Sequence, residues 1–470
     1  MLRLIILVLV LALPRLASAQ DVEALAAPDP VFAAGHADAL EAEFVNHWTR
    51  VRPPELRPDQ AWRVQPTPFQ IEYVDVPLEA QPAVEAAVDL WSTHIASTIP
   101  IKVRVTFVEA AENVLGSAAP RLIANFATAL DRNTFFATAL ASSLEGRDVS
   151  PQNPDIEMNL NGKFPLWYFG TDGDPPADHF DFMTVVIHEL GHGLGFVGSA
   201  RVTEGLGRWG IGTQNYPIVY DRFAETDFQD QTSLLLNTER FPNFSIILAQ
   251  VLQSREVYFN APASVSANVT SQVEQGLAVP PMGRVKLYAP PEWNPGSSYS
   301  HLTEERVGGT QIYYPPGSAN SLMTPRLGAT EVIHRVGPVT CGMFRDMGWI
   351  LGPACEAELP EQVAPFEEDM IVVGPCPNPA VGGRTRVRVH VPEQQRVRAD
   401  LYDVLGRRVL WVFDERLLPS NPTIVNERPI CVDGGTGFID VDGRGLASGV
   451  YFMRIRGDVA EETVRVTIIN

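Results

Sequence analysis

Cysteine is scarce in this chain of 470 residues: there are four, Cys341, Cys355, Cys376 and Cys431, and none falls within the first 340 positions. No pair has Cys-x-x-Cys spacing, which argues against a cysteine-built zinc site. In an oxidising compartment the four allow three pairings. Cys341–Cys355 with Cys376–Cys431 is favoured because each bridge then closes within one expected domain. Long apolar runs are also missing. Beyond Leu4–Leu13, no segment approaches the ~20 apolar residues a membrane-spanning helix needs. Positive charge is in deficit, with 36 Lys and Arg against 56 Asp and Glu and a net charge of −20. Such a surface repels phosphates, which argues against a nucleic-acid partner. There is no internal repeat and no low-complexity tract. What remains is 45% hydrophobic and 20% charged, a globular composition long enough for two or three domains.

The first residues read as a secretory signal peptide, 1–19. Arg3 gives a positive start, Leu4–Leu13 an apolar stretch too short to span a bilayer comfortably, and Ala17-Ser18-Ala19 a small-residue cleavage site before Gln20. The expectation is an exported protein, secreted or held at the cell surface, with no membrane span once mature. Residues 20–66 form an N-terminal extension or pro-segment, with a helix expected over Ala37–Trp48 before the Pro53-Pro54 joint. From Phe69 the pattern becomes strand (Phe69–Val76), helix (Ala83–Ala96), strand (Ile101–Val108) and strand (Asp155–Asn161), the last closing on the Asn161-Gly162 turn. A helix follows, capped by Asp178 or Asp181. Residues 200–285 suggest a mixed lobe, and Val339–Ile350 a helix that closes the core. An acidic linker spans 356–375. Residues 376–470 then hold short alternating strands (Arg384–Val391, Val397–Tyr402, Arg408–Phe413, Gly449–Ile455, Glu462–Ile469), the signature of a small β-sandwich.

Histidine is sparse, nine in all, yet two fall in His188-Glu189-Leu190-Gly191-His192-Gly193-Leu194-Gly195-Phe196. On a helix, positions four apart share a face. Two imidazoles on one turn can hold one zinc ion, with Glu189 beside it as general base; this is the metalloprotease reading of His-Glu-x-x-His. A hydrolytic zinc site takes three protein ligands. The compact metzincin spacing puts the third at position 198, but that residue is Gly198. Glu204 and Glu225 lack a clear helical signature for a carboxylate ligand. His301 and His334 are the two remaining strong candidates.

These motifs resemble the leishmanolysin-like metallopeptidases. There His-Glu-x-x-His-x-x-Gly-Phe is followed by a long insertion, then a histidine in a Ser-x-x-His-like loop, then a Leu-Met-x-Pro turn. This chain has His188–Phe196, Ser298-Tyr299-Ser300-His301 and Leu322-Met323-Thr324-Pro325. The resemblance covers the second half of the domain and is closer still to bacterial exported proteins of unassigned specificity. It implies His188, His192 and His301 as zinc ligands, Glu189 as catalytic residue and Met323 beneath the metal, with His334 the alternative ligand. The chain departs from the family in lacking the cysteine framework of its eukaryotic members, and in a longer spacing from His301 to Met323. The implied fold class is an α+β zincin-like metallopeptidase domain over 67–355 with an insertion at about 200–295, followed by the all-β sandwich. Tyr299 and Tyr313, near His301 in sequence, are candidates to stabilise an oxyanion.

Cys376-Pro-Asn-Pro-Ala380, Leu401-Tyr-Asp-Val-Leu-Gly-Arg407 and Gly445-Leu-Ala-Ser-Gly-Val-Tyr-Phe452, taken together and in order, resemble the type IX secretion sorting domain. The implied partners are that secretion machinery and a protein or peptide substrate. The expected function is therefore a secreted zinc-dependent endopeptidase. The alternative is a catalytically inactive surface binding or adhesion protein that retains a metal site.

Overall fold

The computed structural model describes residues 38–53, 66–304, 312–360, 371–391, 395–417, 438–457 and 461–470. The signal-peptide expectation lies outside them. Among the described residues, no helix is long and apolar enough to cross a membrane.

A six-stranded sheet organises the larger domain. Its strands are β1 (Asp38–Asn46), β2 (Phe69–Val74), β3 (Ile101–Val108), β4 (Val114–Pro120), β5 (Ile156–Asn161) and β6 (Arg326–Ala329), in the order β6-β1-β4-β5-β3-β2. β2, β3 and β5 run parallel; β4 is antiparallel to β5 and to β1, and β1 is parallel to β6. In β3 Ile101, Val103 and Val105 are buried and the residues between them are not, the period-two alternation of a strand with one covered face. Helix α1 (Gln81–His94) buries Ala83, Val84, Ala87, Val88 and Trp91, a stripe at helical spacing. Helix α2 (Phe182–Gly193) is buried along its whole length, packed against α1 and β4. A helix sealed on every side accounts for the nearly unbroken apolar run Phe182–Ile187.

The expected helix over Ala37–Trp48 is instead strand β1. Leu40, Phe44 and Trp48 have helical spacing, but only Leu40 reaches the core; Phe44 is 61% and Trp48 66% exposed. The backbone edges of β4 and β6 take up the segment's donors and acceptors, and tertiary pairing overrides local preference. Residues 38–53, expected to lie outside the domain, are thus part of it: Asp38–Asn46 join its six-stranded sheet, and Arg50–Val51 pair in parallel with Val332–Ile333. β4 was not foreseen: Val114-Leu-Gly-Ser-Ala-Ala-Pro has little β-branched or aromatic character.

The insertion is not a separate body. It carries a four-stranded antiparallel sheet (Ser233–Leu234, Ala224–Thr226, Val257–Phe259, Val285–Lys286, in that order). Its helix α3 (Pro262–Glu274) packs on α4 (Pro338–Met347). One hydrophobic core runs from Leu40 through Leu359. The Cys341–Cys355 disulfide ties α4 to the short helix Pro353–Glu358. Cys431, and with it the second expected pairing, lies outside the described residues.

The C-terminal residues form two sheets, one of three strands (Ile371–Cys376, Arg384–His390, Phe438–Asp442) and one of five (Ala380–Val381, Glu461–Ile469, Gly449–Arg456, Gln395–Tyr402, Arg408–Leu417). Val387, Val389, Ile439 and Val441 of the first share a core with Ala399, Leu401, Met453, Ile455 and Val466 of the second. This is the layered sandwich arrangement. Its first strand begins at Ile371, five residues before the expected boundary.

Candidate metal centre

Asp181 starts α2: its side chain accepts from the Thr184 amide at 2.8 Å, an N-cap that fixes the helix register. His188 and His192 then face the same way. The helix ends at Gly193, and Gly195 (φ 122°) turns the chain in a conformation only glycine takes easily. That turn returns the Phe196 carbonyl to His192, whose Nδ1–H donates to it at 2.8 Å. Gly193 also admits close packing, since a Cβ there would lie 2.3 Å from Ile156.

The third histidine arrives from the loop 294–301. His301 Nδ1–H donates to the Ser297 carbonyl at 2.8 Å, and His188 Nδ1–H to the Leu322 carbonyl at 2.6 Å. The Gly198 amide donates to Ser300 Oγ at 3.1 Å, tying the exit of α2 to this loop. Gly198 sits where a compact site would carry its ligand, but a Cβ there would stand 2.1 Å from the Tyr299 ring. Position 198 is therefore filled by the loop that brings His301.

A carbonyl can only accept, so each Nδ1 carries the ring's proton and each Nε2 of a neutral imidazole is a bare lone pair. The three Nε2 atoms are 2.9, 3.1 and 3.2 Å apart. Ligands about 2.0–2.1 Å from a tetrahedral zinc stand about 3.3 Å from one another. Three lone pairs converging so closely repel unless a cation lies among them, and the donor set fits one. Among the described residues, His188, His192 and His301 are the group with metal-binding geometry. Met323 is fully buried, its Sδ 2.8 Å from where a Cβ on Gly191 would be, and the residue before it supplies the carbonyl that holds His188.

His334 stands apart. Its Nε2 lies 2.8 Å from Asp181 Oδ2, at the opening turn of α2. The Tyr299 hydroxyl donates to Asp221 Oδ1 at 2.9 Å, in a buried cluster with Ser199, and so is committed to structure. Tyr313 receives Gln272 Nε2 on its carbonyl, beside α3. Neither tyrosine is brought to the histidines by these bonds.

Glu189 is fully buried and no side chain hydrogen-bonds either carboxylate oxygen; the backbone amide of Leu40, on β1, is the contact that favours its charged form. Burial pushes its carboxyl well above the usual range, and the Asp38 carboxylate adds to that push. The space it occupies depends on Gly116 of β4, where a Cβ would lie 3.1 Å from Oε1. Gly116 and Asp38 are site residues that motif reading missed. The one sequence signal for Gly116 is a glycine inside a short strand, which marks close approach by another group.

Burial also depresses the histidines: His188 to about 4, and His192 and His301 well below the usual imidazole range, with the neighbouring rings adding to both. A lowered pKa means protons compete poorly for Nε2, so metal is kept as pH falls through the ordinary imidazole range. On dialysis at graded pH without chelator, the midpoint of metal loss is expected below the ordinary imidazole value of about 6.5. A midpoint at or above 6.5, the ordinary imidazole value, would contradict the buried neutral ligand set.

No protein-family model matches the chain, and no curated protein matches it. Among solved structures, the crystal structure of the S-layer protein SbsC domains 4 and 5 aligns over 22% of this chain and 52% of that one, at 14% identity and a TM-score of 0.14. The alignment thus spans about half the length of that structure, and a likeness at this level carries no argument about fold or function.

Proposed function

We propose that the chain is an exported zinc-dependent endopeptidase, its C-terminal sandwich acting as a type IX sorting domain. The observation that carries the catalytic part is the convergence of three bare Nε2 lone pairs within 3.2 Å with a buried carboxyl, Glu189, that no side chain satisfies, on the same helical turn. His188, His192 and His301 would hold the ion as neutral ligands. A divalent zinc ion there supplies Lewis acidity toward a water and a substrate carbonyl. Glu189 accepts the proton of the attacking water and delivers it to the leaving amine as the C–O bond forms and the C–N bond breaks. A structural site that only held a metal has no use for a buried carboxyl that no side chain satisfies, which costs stability.

The test is metal analysis of the purified full chain beside casein hydrolysis. About one zinc per chain is expected, with hydrolysis abolished by a chelator and restored by added Zn²⁺. Hydrolysis that survives complete metal removal, or a chain that binds no metal, would sink the reading. A second reading, a surface binding protein with a structural metal, draws on one observation: His188, Glu189, His192 and His301 are all 0% exposed, so no substrate reaches them in this conformation.

A further inference from the structure

β1 lies against the site, its Asp38 beside His192 and its Leu40 amide toward Glu189, and it is held in a particular way. Its backbone is bonded along both edges. On one side it runs antiparallel to β4, with Asp38 opposite Ala118 and Leu40 opposite Gly116. On the other it runs parallel to β6, with Glu41 opposite Arg326 and Ala42 opposite Leu327. The Ala39 amide donates to the Gly296 carbonyl at 2.7 Å, and the Glu41 amide to the Pro325 carbonyl at 3.1 Å. These walls belong to the metal centre itself: Gly116 faces Glu189, Gly296 opens the turn that ends in His301, and Pro325 follows Met323 by two residues. Asp38 Oδ2 lies 3.7 Å from His192 Nδ1.

By contrast, the segment contributes little to the core. From residues 38–53 only Leu40 and Val51 are buried apolar members of the cluster that runs on to Leu359. The hold is therefore largely main-chain pairing, which any extended peptide supplies whatever its sequence. Polar side chains are received as well: the Glu41 carboxylate accepts from Asn294 Nδ2 at 3.2 Å and faces Arg326 Nε at 4.0 Å, Asn46 donates to Asp178 Oδ1 at 2.7 Å, and Asp38 is buried beside Ser300.

We propose that the slot between β4 and β6 is a peptide-binding groove, and that residues 38–46 of this chain fill it as an added strand in place of a substrate. The ligand class is an extended polypeptide, paired antiparallel to β4 and parallel to β6, with an acidic side chain preferred at the position of Glu41. The segment is thereby autoinhibitory, and the metal centre becomes accessible when it leaves. The groove stands on the pairing geometry; that its natural occupant is cleaved rests on the peptidase reading.

The test uses the full chain carrying Ala39→Pro with Glu41→Pro, which deletes the two amide donors to Gly296 and Pro325. Leu40→Ala, which keeps every amide, is the milder variant. Hydrogen exchange of β4 and β6 amides is expected to speed up about tenfold or more in the double variant, and less in Leu40→Ala, while α2 amides stay protected. Added synthetic peptide spanning Asp38–Val51 should restore the protection, and Ala in place of Glu41 in that peptide should weaken the restoration. Casein hydrolysis by the zinc-loaded variant should exceed that of the unaltered chain by about tenfold or more. Loss of α2 protection in both variants, or no re-protection by the peptide, overturns the groove. Equal, chelator-sensitive hydrolysis before and after substitution overturns the autoinhibition. Re-protection by the peptide with no hydrolysis by any form upholds the groove and sinks the peptidase reading instead.

Discussion

Glu189→Gln is expected to lower kcat by about 10²–10⁴-fold, the usual share of a general base, and to leave the bound metal in place. The side chains have nearly the same shape, and the glycine at 116 leaves room beside Oε1, so an amide of the same size fits the space. None of the three Nε2 atoms touches it through a hydrogen bond; their partners are one another and, through Nδ1, the carbonyls of Leu322, Phe196 and Ser297. An amide cannot take a proton from water at neutral pH, so the loss falls on the chemical step and KM should change little. The measurement belongs in the Ala39→Pro, Glu41→Pro background if the unaltered chain is slow. Metal content equal to the parent with hydrolysis also equal to the parent would end the proposed role. Loss of metal would show instead that the carboxyl steadies the ligands.

The parts of this site that motif reading found are those fixed by local geometry. His188 and His192 share a face because a helix repeats every 3.6 residues, and that follows from spacing alone. His301 lies more than a hundred residues further on, and no periodicity connects it to α2; a resemblance supplied it where the residues alone left His301 and His334 open. What decides between them in space is the packing of Tyr299 over Gly198 and the bond from the Gly198 amide to Ser300 Oγ. The sheet was legible where strands alternate, as in β2, β3 and β5. It was not legible in β4, whose Gly, Ser and Ala residues carry no strand preference, nor in β1. There the i, i+4 spacing of Leu40, Phe44 and Trp48 suggests a helix, while the two open backbone edges of the groove impose a strand. Both missed elements border the metal centre, where local preference is expected to yield to function.

His301→Ala against His334→Ala separates ligand from neighbour. Losing a group that merely orients a ligand typically weakens metal affinity about 10–100-fold; losing a ligand outright should exceed that. In His301→Ala two Nε2 lone pairs remain on α2, and Leu322 and Phe196 still orient their rings, but the loop offers nothing in exchange. Ser300 holds Gly198, and Tyr299 is bound to Asp221. The chain should therefore emerge from purification with little or no zinc, and its hydrolysis should fall with it. Its fold should persist, because the loop stays tied to α2 through Gly198. His334 reaches the same helix at the opposite end, where it meets Asp181 Oδ2. That oxygen also accepts from the Thr184 amide and hydroxyl. Its loss should weaken the start of α2 and lower the melting temperature while leaving about one zinc per chain. If His334→Ala loses zinc and His301→Ala keeps it, the ligand assignment is reversed, and the Nε2 triangle at 2.9–3.2 Å is then a packing arrangement rather than a metal centre.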